Sequence, residues 1–103
     1  PPPTTCTGTV YTGSLAGTGA GNLVGPYASP AGTHLGVLDG PDGVNFNLDL
    51  HRWDGARWVM VARGVTTGPD ETVSYTGTAA SYRWMIYSMS GAGSYSFCLT
   101  QPQ

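Results

Sequence analysis

The 103-residue sequence has no lysine and a single glutamate, and charged residues make up only 10% of it. Its formal net charge of -2 argues against the basic surface with which proteins bind nucleic acid or anionic membranes. No run of apolar residues approaches the roughly 18 that a membrane-spanning helix requires. We therefore expect neither nucleic acid nor a membrane among the partners, and we expect a monomer with one domain.

Helical spacing of apolar residues is also lacking, since no window keeps them three and four positions apart for more than a turn or two. Sixteen glycines and eight prolines interrupt the chain every several residues. Such punctuation is typical of short strands joined by turns. Seven or eight short antiparallel strands with two apolar faces predict an all-β sandwich, which we favour over a barrel.

The clearest predicted element is a β-hairpin over residues 44–62. Apolar residues occupy every second position of residues 44–50, which is the period of a half-buried strand. A two-residue turn at Asp54-Gly55 pairs Leu50 with Val59 on the inner face, so the valines of the returning strand are expected in the core. The same register turns four large side chains outward: His51, Trp53, Trp58 and Met60.

Further strands are expected where β-branched and aromatic runs lie between turns. They cover Cys6–Leu15, Ala31–Leu38, Glu71–Thr76, Ser81–Met89 and Ser94–Leu99. Residues 16–28 are rich in glycine and contain Pro26, so we expect a loop there with at most a short strand at residues 23–24. The last two strands are expected to form a second hairpin, in which Ile86 faces Phe97.

The two cysteines, Cys6 and Cys98, lie near opposite ends of the chain. A disulfide between them would close nearly the whole domain and stabilise it by about 4 to 5 kcal/mol in the chain-entropy model. The alternative is two free thiols in a reducing compartment, but terminal placement and a lysine-free composition favour the disulfide and an extracellular, secreted location. Strand alternation puts Cys98 on an outer face, near Met85.

Residues 1–5, PPPTT, have the composition of a stiff, extended linker. We therefore expect them to be a linker remnant and residues 6–103 to form the domain. A linker also implies an upstream domain in the same polypeptide.

The sequence shows no constellation for catalysis. Its two histidines, His34 and His51, lie in predicted strands, and no nucleophile-elbow motif accompanies them. Asp39 and Asp42 are candidate calcium ligands together with Asn45 and Asn47, although aspartates in turns are explained better by local hydrogen bonding. No other metal site and no cofactor are expected.

The outward aromatic residues are the remaining candidates for function. Rings beside Asn, Asp, His and Arg suit a flat sugar-binding or peptide-binding surface. We therefore expect His51, Trp53, Trp58 and Met60 to form a ligand-binding site. The alternative is that such side chains widen cross-strand packing or cover a linker or a sister domain.

Several segments, in their order along the chain, resemble the bacterial pre-peptidase C-terminal domain. They are VNFNLDL at residues 44–50, the turn WDG at 53–55, residues 58–62, ETVSY at 71–75, YRWMI at 82–86 and GSYSF at 93–97. The resemblance spans roughly residues 31–100 and is greatest to versions attached to secreted serine proteases of the streptogrisin type. Two features depart from the family, namely Asn45 and Asn47 where many members have aspartates, and the cysteine pair.

The resemblance implies a jelly-roll-like sandwich that follows a secreted hydrolase and has no catalytic residues of its own. It also implies a role in secretion, maturation or substrate docking, and kinship with collagen-binding modules that use calcium. We therefore expect a non-catalytic accessory module of a secreted serine protease, with the upstream catalytic domain and an insoluble protein or polysaccharide substrate as partners. The alternatives are a chitin- or cellulose-binding module of a glycoside hydrolase and a structural cap that is removed after export.

Overall fold

The computed structural model describes residues 6–103, so the predicted linker at residues 1–5 lies outside the described residues. The described part of the chain contains eight β-strands and no helix, and thus no helix that could cross a membrane. The strands are β1 (Thr9–Leu15), β2 (Gly21–Ser29), β3 (Gly32–Asp39), β4 (Asn45–Trp53), β5 (Trp58–Gly64), β6 (Glu71–Gly77), β7 (Ala80–Ser90) and β8 (Gly93–Thr100).

The strands form two four-stranded antiparallel sheets that pack face to face. The first sheet has the order β1-β8-β3-β6, and the second has the order β2-β7-β4-β5. Strands next to each other in sequence therefore mostly lie in different sheets, as in a jelly roll. The prediction of an all-β sandwich with seven or eight strands is confirmed.

The core lies between the sheets and follows the period of two that the sequence shows. Phe46, Leu48 and Leu50 of β4 are fully buried, as are Tyr82, Trp84 and Ile86 of β7 and Phe97 of β8. The Trp84 and Phe97 rings meet across the sandwich with centroids 5.4 Å apart. Each such side chain contributes about 1.5 to 3 kcal/mol by leaving water, so these residues supply much of the stability.

The predicted second hairpin is wrong, because β7 and β8 belong to different sheets. β7 pairs with β2 and β4, whereas β8 pairs with β1 and β3. The link at residues 91–92 passes from one sheet to the other, and Gly91 adopts a φ of 92° there. Alternation shows which residues of a strand face inward. It does not show whether two such strands are hydrogen-bonded in one sheet or packed face to face from two sheets.

The first hairpin is confirmed, but its register differs from the prediction. Trp53 pairs with Trp58, so the loop has four residues, and the Asp54 carboxylate accepts hydrogen bonds from the Ala56 and Arg57 amides, each 2.8 Å long. A bulge follows in the ladder, and Val59 is 38% exposed rather than in the core. The Asp54 side chain stabilises this four-residue loop. The sequence prediction assumed a two-residue turn and therefore missed it.

Residues 16–28 are mostly strand rather than loop. β2 runs along one edge of the second sheet and pairs with β7, with a shift in register between Val24 and Tyr27. Gly25 and Pro26 occupy that shift. An edge strand tolerates proline because its outward amide needs no partner.

The disulfide between Cys6 and Cys98 is present, with the two Cα atoms 5.8 Å apart. It holds the segment before β1 against β8 on the outer face of the first sheet. Val10 and Val37 are the neighbours of Cys98 on either side. The expected proximity to Met85 is wrong, because Met85 lies in the second sheet.

Candidate functional site

The outer face of the second sheet carries the two tryptophans that lie outside the core. Trp53 pairs with Trp58 across β4 and β5, and His51 lies between Met60 of β5 and Arg83 of β7 in the next row. We call these five residues the aromatic face. The structure therefore brings together all four residues that the sequence assigned to a ligand site, and it adds Arg83.

The two tryptophans form a T-shaped pair with ring centroids 5.3 Å apart and planes at 63°. Trp53 is 38% exposed and Met60 is 46% exposed, whereas Trp58 is half-buried. The Arg83 guanidinium partly covers Trp58, with its central carbon 4.6 Å from the ring centroid. Edge-to-face and cation–π contacts each favour one ring orientation, so the rings are held in place before any ligand arrives.

His51 fixes the other side of the Arg83 side chain. Arg83 Nε donates a hydrogen bond of 3.0 Å to His51 Nδ1, which must therefore be unprotonated. Burial lowers the pKa of His51, the Arg83 charge lowers it further, and Asp49 opposes both effects. His51 is accordingly neutral near pH 7 and acts as a hydrogen-bond acceptor.

A row of polar side chains borders the aromatic face. Asp49 is buried and forms an ion pair with Arg63, with 3.5 Å between Oδ1 and Nε. Burial raises the pKa of Asp49, and Arg63 partly offsets that rise. Arg63 also donates to the Tyr87 hydroxyl at 2.9 Å, and Asn47 donates to the same hydroxyl. The Asp49 charge is thus already partnered within the protein.

Comparison with known proteins gives no matching family model for this sequence. The structure is similar to the crystal structure of the pre-peptidase C-terminal domain of a collagenase from Bacillus anthracis, with a TM-score of 0.72 and 18% identity over 90% of this chain and 89% of that one. The chain has a pre-peptidase C-terminal fold. The resemblance noted in the sequence is thereby confirmed at the level of the fold, while the type of host protease is not shown.

The structure of this chain is also similar to the crystal structure of the Yersinia pseudotuberculosis-derived mitogen YPM. The TM-score is 0.71, with 21% identity over 90% of this chain and 84% of the mitogen. The pre-peptidase C-terminal domain of a collagenase and a mitogen thus share one architecture. The function of this chain must therefore be argued from its own surface residues.

The second histidine, His34, lies in the core of the sandwich rather than in a site. It is fully buried and its ring centroid is 4.1 Å from that of Tyr82. The Tyr27 hydroxyl accepts a hydrogen bond from Trp84 Nε1 and lies 2.8 Å from His34 Nδ1. Burial raises the pKa of Tyr27 to about 12 and lowers that of His34, so both groups are neutral at pH 7.

The calcium candidates Asp39 and Asp42 lie at the turn between β3 and β4. Burial raises the pKa of Asp39, and the nearby Asp70 raises it further, while the Asp70 carboxylate accepts a hydrogen bond of 3.1 Å from the Gly40 amide. Within residues 6–103 no group of three or more His, Cys, Asp or Glu is placed to hold a metal ion. Calcium ligation by these two residues stays the weaker of the two interpretations, after turn chemistry.

Proposed function

We propose that the chain is a non-catalytic accessory module that binds protein substrate through the aromatic face on behalf of an attached secreted hydrolase. The observation that carries the proposal is the pair of tryptophans beside Met60, which are large, solvent-facing and not needed to fill the core. Attachment would raise the local concentration of substrate around the catalytic domain without adding any chemistry.

The composition of the aromatic face supports a protein ligand. Tryptophan, methionine and arginine are enriched in protein–protein interfaces, and tryptophan and arginine contribute most to binding energy there. Exposed Leu23, 51% accessible, extends the apolar surface towards β2. Folding does not require a surface of large exposed apolar side chains on one sheet, whereas a binding module does.

A host protease and an extracellular location are parts of the same proposal. The pre-peptidase C-terminal fold supports a C-terminal accessory domain, and the Cys6–Cys98 disulfide supports an oxidising compartment. Neither histidine is available as a catalytic base in the described residues, since Arg83 occupies His51 Nδ1 and His34 is buried against tyrosines. We infer a streptogrisin-type serine protease as the host from the sequence resemblance.

A polysaccharide is the second candidate ligand, and the exposed ring of Trp53 favours it. Sugar rings stack on flat, accessible aromatic faces. Arg83 covers one face of Trp58, however, and the edge-to-face pairing restricts the remainder. One accessible ring offers little stacking surface to a chain of chitin or cellulose, so we propose a protein as the ligand in preference to a polysaccharide.

The test is a pull-down of the full 103-residue chain on insoluble collagen, keratin, chitin and cellulose. We expect retention on a protein matrix and at least a tenfold weaker retention of Trp53→Ala and Trp58→Ala. Tyr11→Ala is the matched control, because Tyr11 is 39% exposed but belongs to the first sheet. The lost aromatic and cation–π contacts cost about 0.5 to 1.5 kcal/mol each, so both variants should remain folded.

Each matrix result has a defined meaning. Retention on chitin or cellulose alone would replace the protein ligand with the carbohydrate alternative. Equal loss in the Tyr11 variant would show that the effect is not specific to the aromatic face. No retention on any matrix would overturn the binding proposal and leave the structural cap.

A further inference from the structure

Arg83 is a charged residue of the aromatic face that has no acidic partner among residues 6–103. The ion pairs in this part of the chain join Arg57 to Asp54 and Arg63 to Asp49. The hydrogen bond from Arg83 Nε to His51 is the one that the described residues provide for its side chain. Neither Nη atom of Arg83 is among the fully buried side-chain atoms that lack a hydrogen-bond partner in residues 6–103, so both nitrogens keep some accessible surface.

The guanidinium is nevertheless held in one orientation. The guanidinium carbon lies over the Trp58 ring, 4.6 Å from its centroid, and Nε donates a hydrogen bond of 3.0 Å to His51. The edge formed by Nη1 and Nη2 is left free. Arginine normally loses about 2 kcal/mol of rotamer entropy when it is fixed, and here most of that loss occurs on folding rather than on binding.

We propose that Arg83 is the carboxylate-binding residue of this surface, and that the aromatic face takes acidic segments of a protein in which an Asp or Glu lies beside an apolar side chain. The proposal rests on the proposed function and adds the chemical class of the ligand. A planar guanidinium with a free edge matches a carboxylate through two parallel hydrogen bonds.

The spacing of the sheet fits an extended ligand chain. Arg83 and His51 occupy one row, and Trp53 with Trp58 occupies the next row on β4 and β5. Residues two apart on a strand are about 6.8 Å apart, which is also the distance between alternate side chains of an extended peptide. A peptide aligned with β4 would therefore place a carboxylate at Arg83 and an apolar side chain at the tryptophans.

The surrounding charges and apolar side chains favour this class of ligand over a polysaccharide. Chitin and cellulose have no carboxylate to match Arg83. Uronic-acid polymers do, but they lack the aliphatic or aromatic groups that would cover exposed Met60 and Trp53. The Asp49 carboxylate, two residues from His51 on β4, is paired with Arg63 and so opposes an incoming anion only weakly.

The test compares N-acetyl-L-tryptophan with N-acetyl-L-tryptophanamide, which differ only in the carboxylate. Binding to the full chain is followed by two-dimensional NMR of the Trp indole N–H and Arg Nε–H signals. We expect the acid to bind at least about tenfold more tightly than the amide, equivalent to about 1.4 kcal/mol. Arg83→Gln should abolish the difference, and Arg83→Lys should keep part of it. Arg57→Gln, at an 82% exposed position in the loop between β4 and β5, should change nothing.

The outcomes separate this inference from the proposed function. Equal binding of acid and amide would overturn the role of Arg83, while retention on collagen or keratin would leave the proposed function standing. Tighter binding of trigalacturonate than of N-acetyl-L-tryptophan, lost in Arg83→Gln, would overturn the assignment to proteins. Absence of probe binding together with absence of retention on every matrix would overturn both.

Discussion

Gly36→Ala is the substitution for which the structure gives the clearest energetic expectation. Gly36 is buried in β3, between β8 and β6, and points into the core. A Cβ at this position would lie 2.7 Å from two carbons of the Trp84 ring and 3.0 Å from a Phe97 carbon. Carbon atoms pack best at about 3.5 to 4.0 Å, so the Trp84 ring would have to move by about 1 Å and the Phe97 ring by at least about 0.5 Å.

Neither ring has room for that movement. Trp84 is fully buried, donates a hydrogen bond of 3.0 Å from Nε1 to the Tyr27 hydroxyl, and packs against Phe97. Overpacking of a filled core typically costs about 1 to 3 kcal/mol, and the fixed tryptophan places this case near the upper value of about 3 kcal/mol. For a domain of this size, that loss lowers Tm by about 12 to 24 °C.

Urea unfolding monitored by tryptophan fluorescence measures the effect. The control is Gly17→Ala, because Gly17 has an ordinary φ and no atom lies within 4 Å of the place that the alanine methyl group would take. That control should be neutral or more stable by up to about 1 kcal/mol, since alanine restricts the unfolded chain. A Gly36→Ala protein within about 0.5 kcal/mol of the parent, well below the usual cost of overpacking, would refute the close packing of β3 against Trp84.

Two further predictions concern the disulfide and the histidines. The double variant Cys6→Ser/Cys98→Ser should lose about 2 to 5 kcal/mol in urea unfolding, since the bridge joins residues 92 apart; a loss below about 1 kcal/mol would contradict stabilisation by loop closure. The pKa values of His34 and His51, measured by NMR of the ring protons, should both lie below 6.5 because of burial. As pH falls, each histidine is protonated in the unfolded chain before it is protonated in the folded chain. Both groups therefore lower the free energy of unfolding as pH falls from 6.5 through the folded pKa values. A titration midpoint at or above 6.5 for either ring would show that burial does not control the pKa of that histidine.

The outward residues of the first hairpin could be predicted from the sequence even though its register could not. The two-residue turn pairs His51 with Trp58, whereas the structure pairs His51 with Met60. The difference at the tip is two residues, and a shift of two leaves every side chain on its own face. The predicted outer set is therefore confirmed as outward-facing, and the bulge beyond His51 changed only which residues of β5 face the core.

Arg83 was missed as a site residue for a related reason. Arg83 lies between the buried Tyr82 and Trp84 of β7, so alternation alone puts it on the outer face. The predicted pairing of the last two strands, however, gave Arg83 no aromatic neighbour from β4 or β5. In the structure β7 lies beside β4, and this pairing brings Arg83 to His51 and Trp58. Alternation is a local property of one strand, whereas the partner of a strand depends on contacts across the whole chain.

The three tryptophans of this domain lie in two different environments, one in the core and two on the outer face of the second sheet. Trp84 is fully buried, hydrogen-bonded and central to the packing between the sheets. Trp53 and Trp58 contact each other on the outer face of the second sheet, and Trp58 also contacts Arg83. The outer face of the first sheet carries hydroxyl side chains instead, such as the hydrogen-bonded pair Thr33 and Thr76. The sandwich fold therefore does not demand aromatic residues on an outer face, and this is the reason for proposing a binding role for those on the second sheet.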